Sequence, residues 1–219
     1  NRAADDAAGL AISEGLRSQV NGLNVAARNA QDGISVIQTA EGALTEVHSI
    51  LQRVRDLAVQ AGSDSNNADS RTAIKTEIDS LGKELTRVAA STNFNGIKLL
   101  DSASTLTFQV GAGSDADEDQ IAVTLTDFSG LGARIEALTV TDAAAALTTI
   151  AALDTEIKGV STARAGLGAV QNRFESTINS LQVSAENLAA AKSRIADTDM
   201  AAEMVKYTAS NILQLSLIH

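Results

Sequence analysis

Carboxylates at alternate positions, as at Asp115, Asp117 and Asp119, have the spacing with which a calcium loop presents its first three ligands. A complete loop also needs a glycine at the bend and a bidentate glutamate to close the shell, and Gln120 and Thr126 occupy those places. The run therefore reads as a solvated acidic loop, and no metal is expected. Gly111-Ala112-Gly113 has the opening of a dinucleotide fingerprint, but Ala116 stands where the third glycine belongs and no helix follows, so a turn is the better reading. Gly82-Lys83 is followed by Glu84 inside a helical pattern, which excludes a phosphate-cradling loop. His48 has no second histidine near it in sequence, no visible nucleophile and no orienting partner, and His219 is the last residue. The sequence contains Cys 0, which removes thiolate nucleophiles and thiolate metal sites. Neither an enzyme nor a cofactor is expected.

The elements that would carry these residues point elsewhere. Lys and Arg number 17 against 27 Asp and Glu, a net charge of −10, so phosphate backbones and anionic membranes would be repelled. Neither nucleic acid nor membrane is expected as a partner. With Pro 0, nothing forbids long helices. Aromatic residues are 2% of the chain while apolar residues are 44%, so Ala, Leu, Ile and Val carry the hydrophobicity. Side chains of that size suit helices packed side by side. No stretch approaches the roughly 18 apolar residues of a membrane span. The chain opens on Asn1 rather than Met, and a processed or excised fragment is expected.

From Leu23 to Ala58 apolar residues recur every three or four positions, and a second row, Val36, Ala43, Ile50 and Leu57, runs beside the first. That face is wider than a two-stranded seam needs, so the helix must touch more than one neighbour. It should end near Gly62, and some forty helical residues span roughly 60 Å. A second helix, capped by Asp69 or Ser70, carries Ile74, Ile78, Leu81, Leu85 and Val88. Asn95-Gly96 marks a turn. Alternation at Leu106, Phe108 and Val110 and again at Ile121, Val123 and Leu125 predicts an antiparallel hairpin. From about Asp142 the helical period returns, through Leu147, Ile150, Val160, Leu167, Phe174 and Leu181 as far as Ile195. The fold class is mainly α: an elongated antiparallel helical bundle of two N-terminal helices and one long C-terminal helix, with a small β-hairpin region. Phe174 should be buried where the long helices meet.

Several stretches are closely similar to bacterial flagellin. They are Ala4-Asp5-Asp6-Ala7-Ala8-Gly9-Leu10, Arg28-Asn29-Ala30-Gln31-Asp32-Gly33-Ile34-Ser35, Leu51-Gln52-Arg53-Val54-Arg55-Asp56-Leu57-Ala58-Val59-Gln60, Thr92-Asn93-Phe94-Asn95-Gly96 and Leu167-Gly168-Ala169-Val170-Gln171-Asn172-Arg173-Phe174. Together they run along the chain in the family's order. The resemblance implies the family's rod domain over residues 1–219, with helices and a turn over 1–100, a β-hairpin region over 101–141 and the long C-terminal helix over 142–214. Residues 215–219 depart from the family and are read as a non-native tail. The terminal segments that form the filament's inner layer, and the large variable outer domains, are expected to be missing, which would leave the fragment monomeric.

The resemblance further implies a structural subunit of the flagellar filament, exported from the cell and supporting swimming motility. Its expected partners are other flagellin subunits, export chaperones for the full-length protein and Toll-like receptor 5. The family's receptor-facing patch carries over to Gln52, Arg53, Leu57, Gln60 and Glu77. Hook-filament junction proteins, which are distant relatives, form the nearest alternative. A secreted helical ligand that acts only through a receptor is an alternative of a different class.

Overall fold

In the computed structural model, residues 7–196 are described, together with 204, 205, 207–209 and 212. The first helix, α1, spans Ala7–Ala61 and so begins well before Leu23, where its predicted stripe starts. Its 55 residues make a rod of about 80 Å. Gly62 follows the last turn and donates its N–H to the carbonyls of Ala58 and Val59. Helix α2 runs over Ala68–Ser91. Its cap is Asn67 and not Asp69 or Ser70: the Asn67 side chain accepts from the Ser70 N–H at 2.8 Å, which moves the cap two or three residues earlier.

After α2 a minimal ribbon pairs β1 (Asn93–Phe94) with β2 (Ile97–Lys98) about the Asn95-Gly96 turn. Both turn residues have positive φ, 49° and 82°, as a tight two-residue hairpin loop requires. The predicted larger hairpin follows as β3 (Thr105–Gln109) and β4 (Gln120–Thr124), in antiparallel register from Thr105↔Thr124 to Gln109↔Gln120. Two short helices lie in the region read from sequence as hairpin alone, α3 (Ala116–Asp119) and α4 (Leu131–Glu136). They are too short for a helical period to register. The last helix, α5, covers Ala143–Ala196, opened by Asp142, whose carboxylate accepts from the Ala145 N–H at 2.7 Å. The predicted continuation to 214 falls largely, and the tail 215–219 wholly, outside the described residues.

Helices α1 and α5 lie along one another for most of their length, and α2 packs on α1 and on α4. The α1 row of Val36, Ile50 and Leu57 is buried as well as the row of Ile37, Leu44, Leu51 and Val54, which is why one neighbour would not suffice. Phe174 has no exposed surface, and its ring meets Phe108 of β3 edge-on, with centroids 5.6 Å apart at 89°. Room for that ring comes from Gly33, where an added Cβ would sit 2.7 Å from Phe174 Cζ. Leu147, predicted to face inward, is 69% exposed, and Ala146, Thr149 and Leu153 fill the interior at that level instead. A one-residue offset at a helix start is enough to turn an apolar side chain outward.

Candidate functional site

The motifs that could have carried chemistry resolve into structure. Asp119 accepts from the N–H of Gly113 at 3.2 Å and of Asp115 at 3.1 Å, while Asp115 caps α3 by accepting from Asp117 N–H at 2.9 Å. Two of the three alternating carboxylates are thus spent on loop N–H groups. Gly111 and Gly113 lack side chains because a Cβ at either would collide with the Asp119 carboxylate. Gly82 performs a similar service for α2. A Cβ there would lie 2.7 Å from Glu136 Cγ and 3.1 Å from the Gly132 carbonyl, so the Gly-Lys pair marks the crossing of α2 and α4. His48 is half-buried, and its Nε2 lies 3.5 Å from the Gln52 amide nitrogen, with no nucleophile beside it among the described residues.

The residues proposed for a receptor patch lie on the α1–α2 hairpin. The short loop after Gly62 returns the chain antiparallel and sets Glu77 of α2 against Arg53 of α1, 24 residues apart in sequence. Arg53 Nε and Nη2 donate to the same oxygen, Glu77 Oε1, at 2.9 and 2.6 Å. Both side chains remain about half exposed, so the pair contributes little stability, about 0–1 kcal/mol. It fixes the direction of the guanidinium instead. Gln52 and Gln60 are exposed, and Arg53, Asp56 and Gln60 follow one another at three and four residues along one solvent-facing row of α1.

Leu57 does not join them. It is 2% exposed and belongs to the core. Two readings of this residue compete: the resemblance places it in the patch, four positions from Arg53, and the spacing places it every seventh position after Val36, Ala43 and Ile50. The second governs its environment. Val59, an apolar residue on the same turn as Gln60, is 51% exposed.

Other ion pairs sew the helices together near this surface. Arg55 of α1 donates to Asp154 of α5 at 2.7 Å, and that hydrogen bond, reinforced by the adjacent charge, raises the Arg55 pKa above its ordinary value. Arg134 of α4 makes a two-pronged contact with Glu156 of α5 at 2.7 and 3.0 Å, which likewise raises its pKa. Among the described residues no group of His, Asp and Glu could hold a metal ion, and no helix is long and apolar enough to cross a membrane.

A helical hairpin clasped along its first helix by a second long helix agrees with what the chain resembles. The family model "Bacterial flagellin N-terminal helical region" matches residues 1–105, and "Bacterial flagellin C-terminal helical region" matches residues 150–217. A flagellin of Halalkalibacterium halodurans is 50% identical over 214 residues, covering 97% of this chain and 78% of its own length. This chain belongs to the bacterial flagellins.

The crystal structure of Bacillus cereus flagellin superposes with a TM-score of 0.62 at 34% identity, over 75% of this chain and 94% of that one. A protein of Vibrio parahaemolyticus described as flagellar hook-associated gives a TM-score of 0.73 over 88% of this chain and 100% of its own, but at 13% identity, which speaks to the fold alone. The junction-protein alternative is therefore not favoured. This flagellin is a structural subunit of the flagellar filament, and its partners in that role are other flagellin subunits.

Proposed function

We propose that the chain, read as one rod unit, works outside the cell without catalytic activity, reached by export with a chaperone, and that its α1–α2 hairpin is read by Toll-like receptor 5. What supports the filament role is the wide apolar face of α1, matched along most of its length by α5, which makes a stiff rod. Mass spectrometry of filaments sheared from motile cells should recover this chain as a principal component. Recovery only in trace amounts at the hook junction would contradict it.

The receptor reading rests on the exposed row Gln52, Arg53, Asp56 and Gln60, with Glu77 holding Arg53 in place from α2. A guanidinium aimed by an ion pair offers a planar, already oriented donor to a partner. Leu57 contributes from beneath, by seating the turn that carries Arg53. An arginine anchor at an interface is typically worth about 2 kcal/mol or more, so Arg53→Ala should weaken receptor binding roughly thirtyfold while the circular dichroism stays unchanged. Surface plasmon resonance against the receptor ectodomain measures it. Unaltered affinity in a folded Arg53→Ala variant, or no binding by the parent, would remove this reading.

A further inference from the structure

Two Asn-Gly pairs occur among the described residues, and the fold treats them oppositely. Asn21-Gly22 lies inside α1, where the Gly22 N–H belongs to the helical ladder. Gly22 is also packed: a Cβ there would come 2.9 Å from Cβ of Ala112 in the hairpin loop. Asn95-Gly96 forms the two-residue loop between β1 and β2. Both of its residues are exposed, and nothing lies within 4 Å of where a Gly96 Cβ would be.

The Asn95 side chain also stands apart from the other asparagines outside helices. Asn66 donates to the Gln60 carbonyl at 2.7 Å, Asn67 accepts from Ser70 N–H at 2.8 Å, and Asn93 donates to the Ser91 carbonyl at 2.9 Å. Among the described residues no such bond holds the Asn95 amide, and no turn or loop bond uses the Gly96 N–H. The ribbon consists of two residue pairs, Asn93↔Lys98 and Phe94↔Ile97, with one further backbone bond from Leu99 N–H to the Thr92 carbonyl at 3.2 Å. A ribbon of that length is marginal by itself and opens locally at small cost.

We propose that Asn95 is a site of spontaneous deamidation in the folded protein. When the loop opens, the Gly96 backbone nitrogen gives up its proton to hydroxide and attacks the Asn95 side-chain carbonyl carbon. A new C–N bond closes a five-membered imide, and the amide nitrogen leaves as ammonia. Water then opens the ring. Hydrolysis at the backbone carbonyl gives isoaspartate, and at the side-chain carbonyl it gives aspartate; in sum, the amide and water become a carboxylate and ammonium. Glycine favours the attack because it places no side chain beside the nitrogen. Isoaspartate reroutes the backbone through the side-chain carbon, so the Phe94↔Ile97 pairing cannot persist in its present register, whereas aspartate keeps the register and adds one negative charge.

The experiment holds the folded protein in mildly alkaline buffer and follows the two Asn-Gly peptides by mass spectrometry, with an isoaspartate methyltransferase assay on each. Asn95 should convert at least roughly tenfold faster than Asn21, since one site opens locally and the other requires a helix to unwind. In concentrated urea the two rates should converge. Equal rates in the native protein, faster conversion at Asn21, or a gap that persists undiminished in urea would each overturn the proposal.

Discussion

The same apolar repeat runs through both ends of the α1–α5 pair, yet it has different consequences at each. At the wide end, α1 from about residue 30 onward is enclosed by α5, α2 and the β region, and Ile37, Leu51, Val54, Leu153 and Val160 have no exposed surface. At the narrow end, toward Ala7 and Ala196, α5 is the neighbour of α1 among the described residues. There Ile12 is 54% exposed and Ile195 is 41% exposed, although both continue the three-and-four spacing. Periodicity makes the helix; the number of neighbours decides what the stripe buries.

The sharpest way to break this comparison is at the place where the two ends meet. Phe174 fills the space left by Gly33 and stacks edge-on with Phe108, so Phe174→Ala should lower the unfolding free energy by about 3–5 kcal/mol in denaturant melts. A loss below about 1 kcal/mol would mean that the seam is loosely packed. Next, Leu51→Ala at the wide end should cost about 2–5 kcal/mol, whereas Ile12→Ala at the narrow end should stay within about 0.5 kcal/mol. Similar costs for the two would erase the distinction.

Glycines sharpen the contrast further. A Cβ at Gly132 would collide with Thr86 and with the Gly82 carbonyl, so Gly132→Ala should push α4 off α2 at a cost of about 1–3 kcal/mol. Gly159, inside α5, has nothing within 4 Å of such a Cβ, and Gly159→Ala should stabilise by roughly 0.5–1 kcal/mol through helix propensity. Thermal melts of the two variants should move in opposite directions.

The smallest effect is acid sensitivity. A hydrogen bond from Arg87 holds the Glu84 carboxyl below its ordinary value, and hydrogen bonds from Ser129, its side chain first, do the same for Asp127. A carboxyl whose pKa is lower in the folded state stabilises the fold above the unfolded carboxylate range, and that contribution is lost as pH falls through the lowered value. Both groups lie at the wide end, Glu84 half-buried and Asp127 exposed. Acid titration followed by NMR should therefore show a slight loosening around α2 and the loop before α4, leaving the narrow end unchanged.

Much of this fold was legible in the residues because long helices announce themselves by period. The stripes of α1, α2 and α5 and the alternation of β3 and β4 all follow from spacing, and so does the burial of Phe174. The short helices α3 and α4 escaped because four and six residues complete barely one turn. Leu147 was misplaced because the phase of a helix is poorly determined within its first turn. In the candidate site, the junction of Arg53 with Glu77 was legible only through resemblance, since residues 24 apart are joined by a loop and not by a repeat. Leu57 belongs to two patterns at once, and only its burial in the folded chain decides between them.

Native-state hydrogen exchange along α1 tests the central claim most directly. If burial by additional neighbours sets local stability, amides over residues 8–21 should open at distinctly lower free energy than those over residues 44–58, with the change falling near Gly22 and Asn29, where the hairpin docks. Uniform protection from one end of the helix to the other would contradict it.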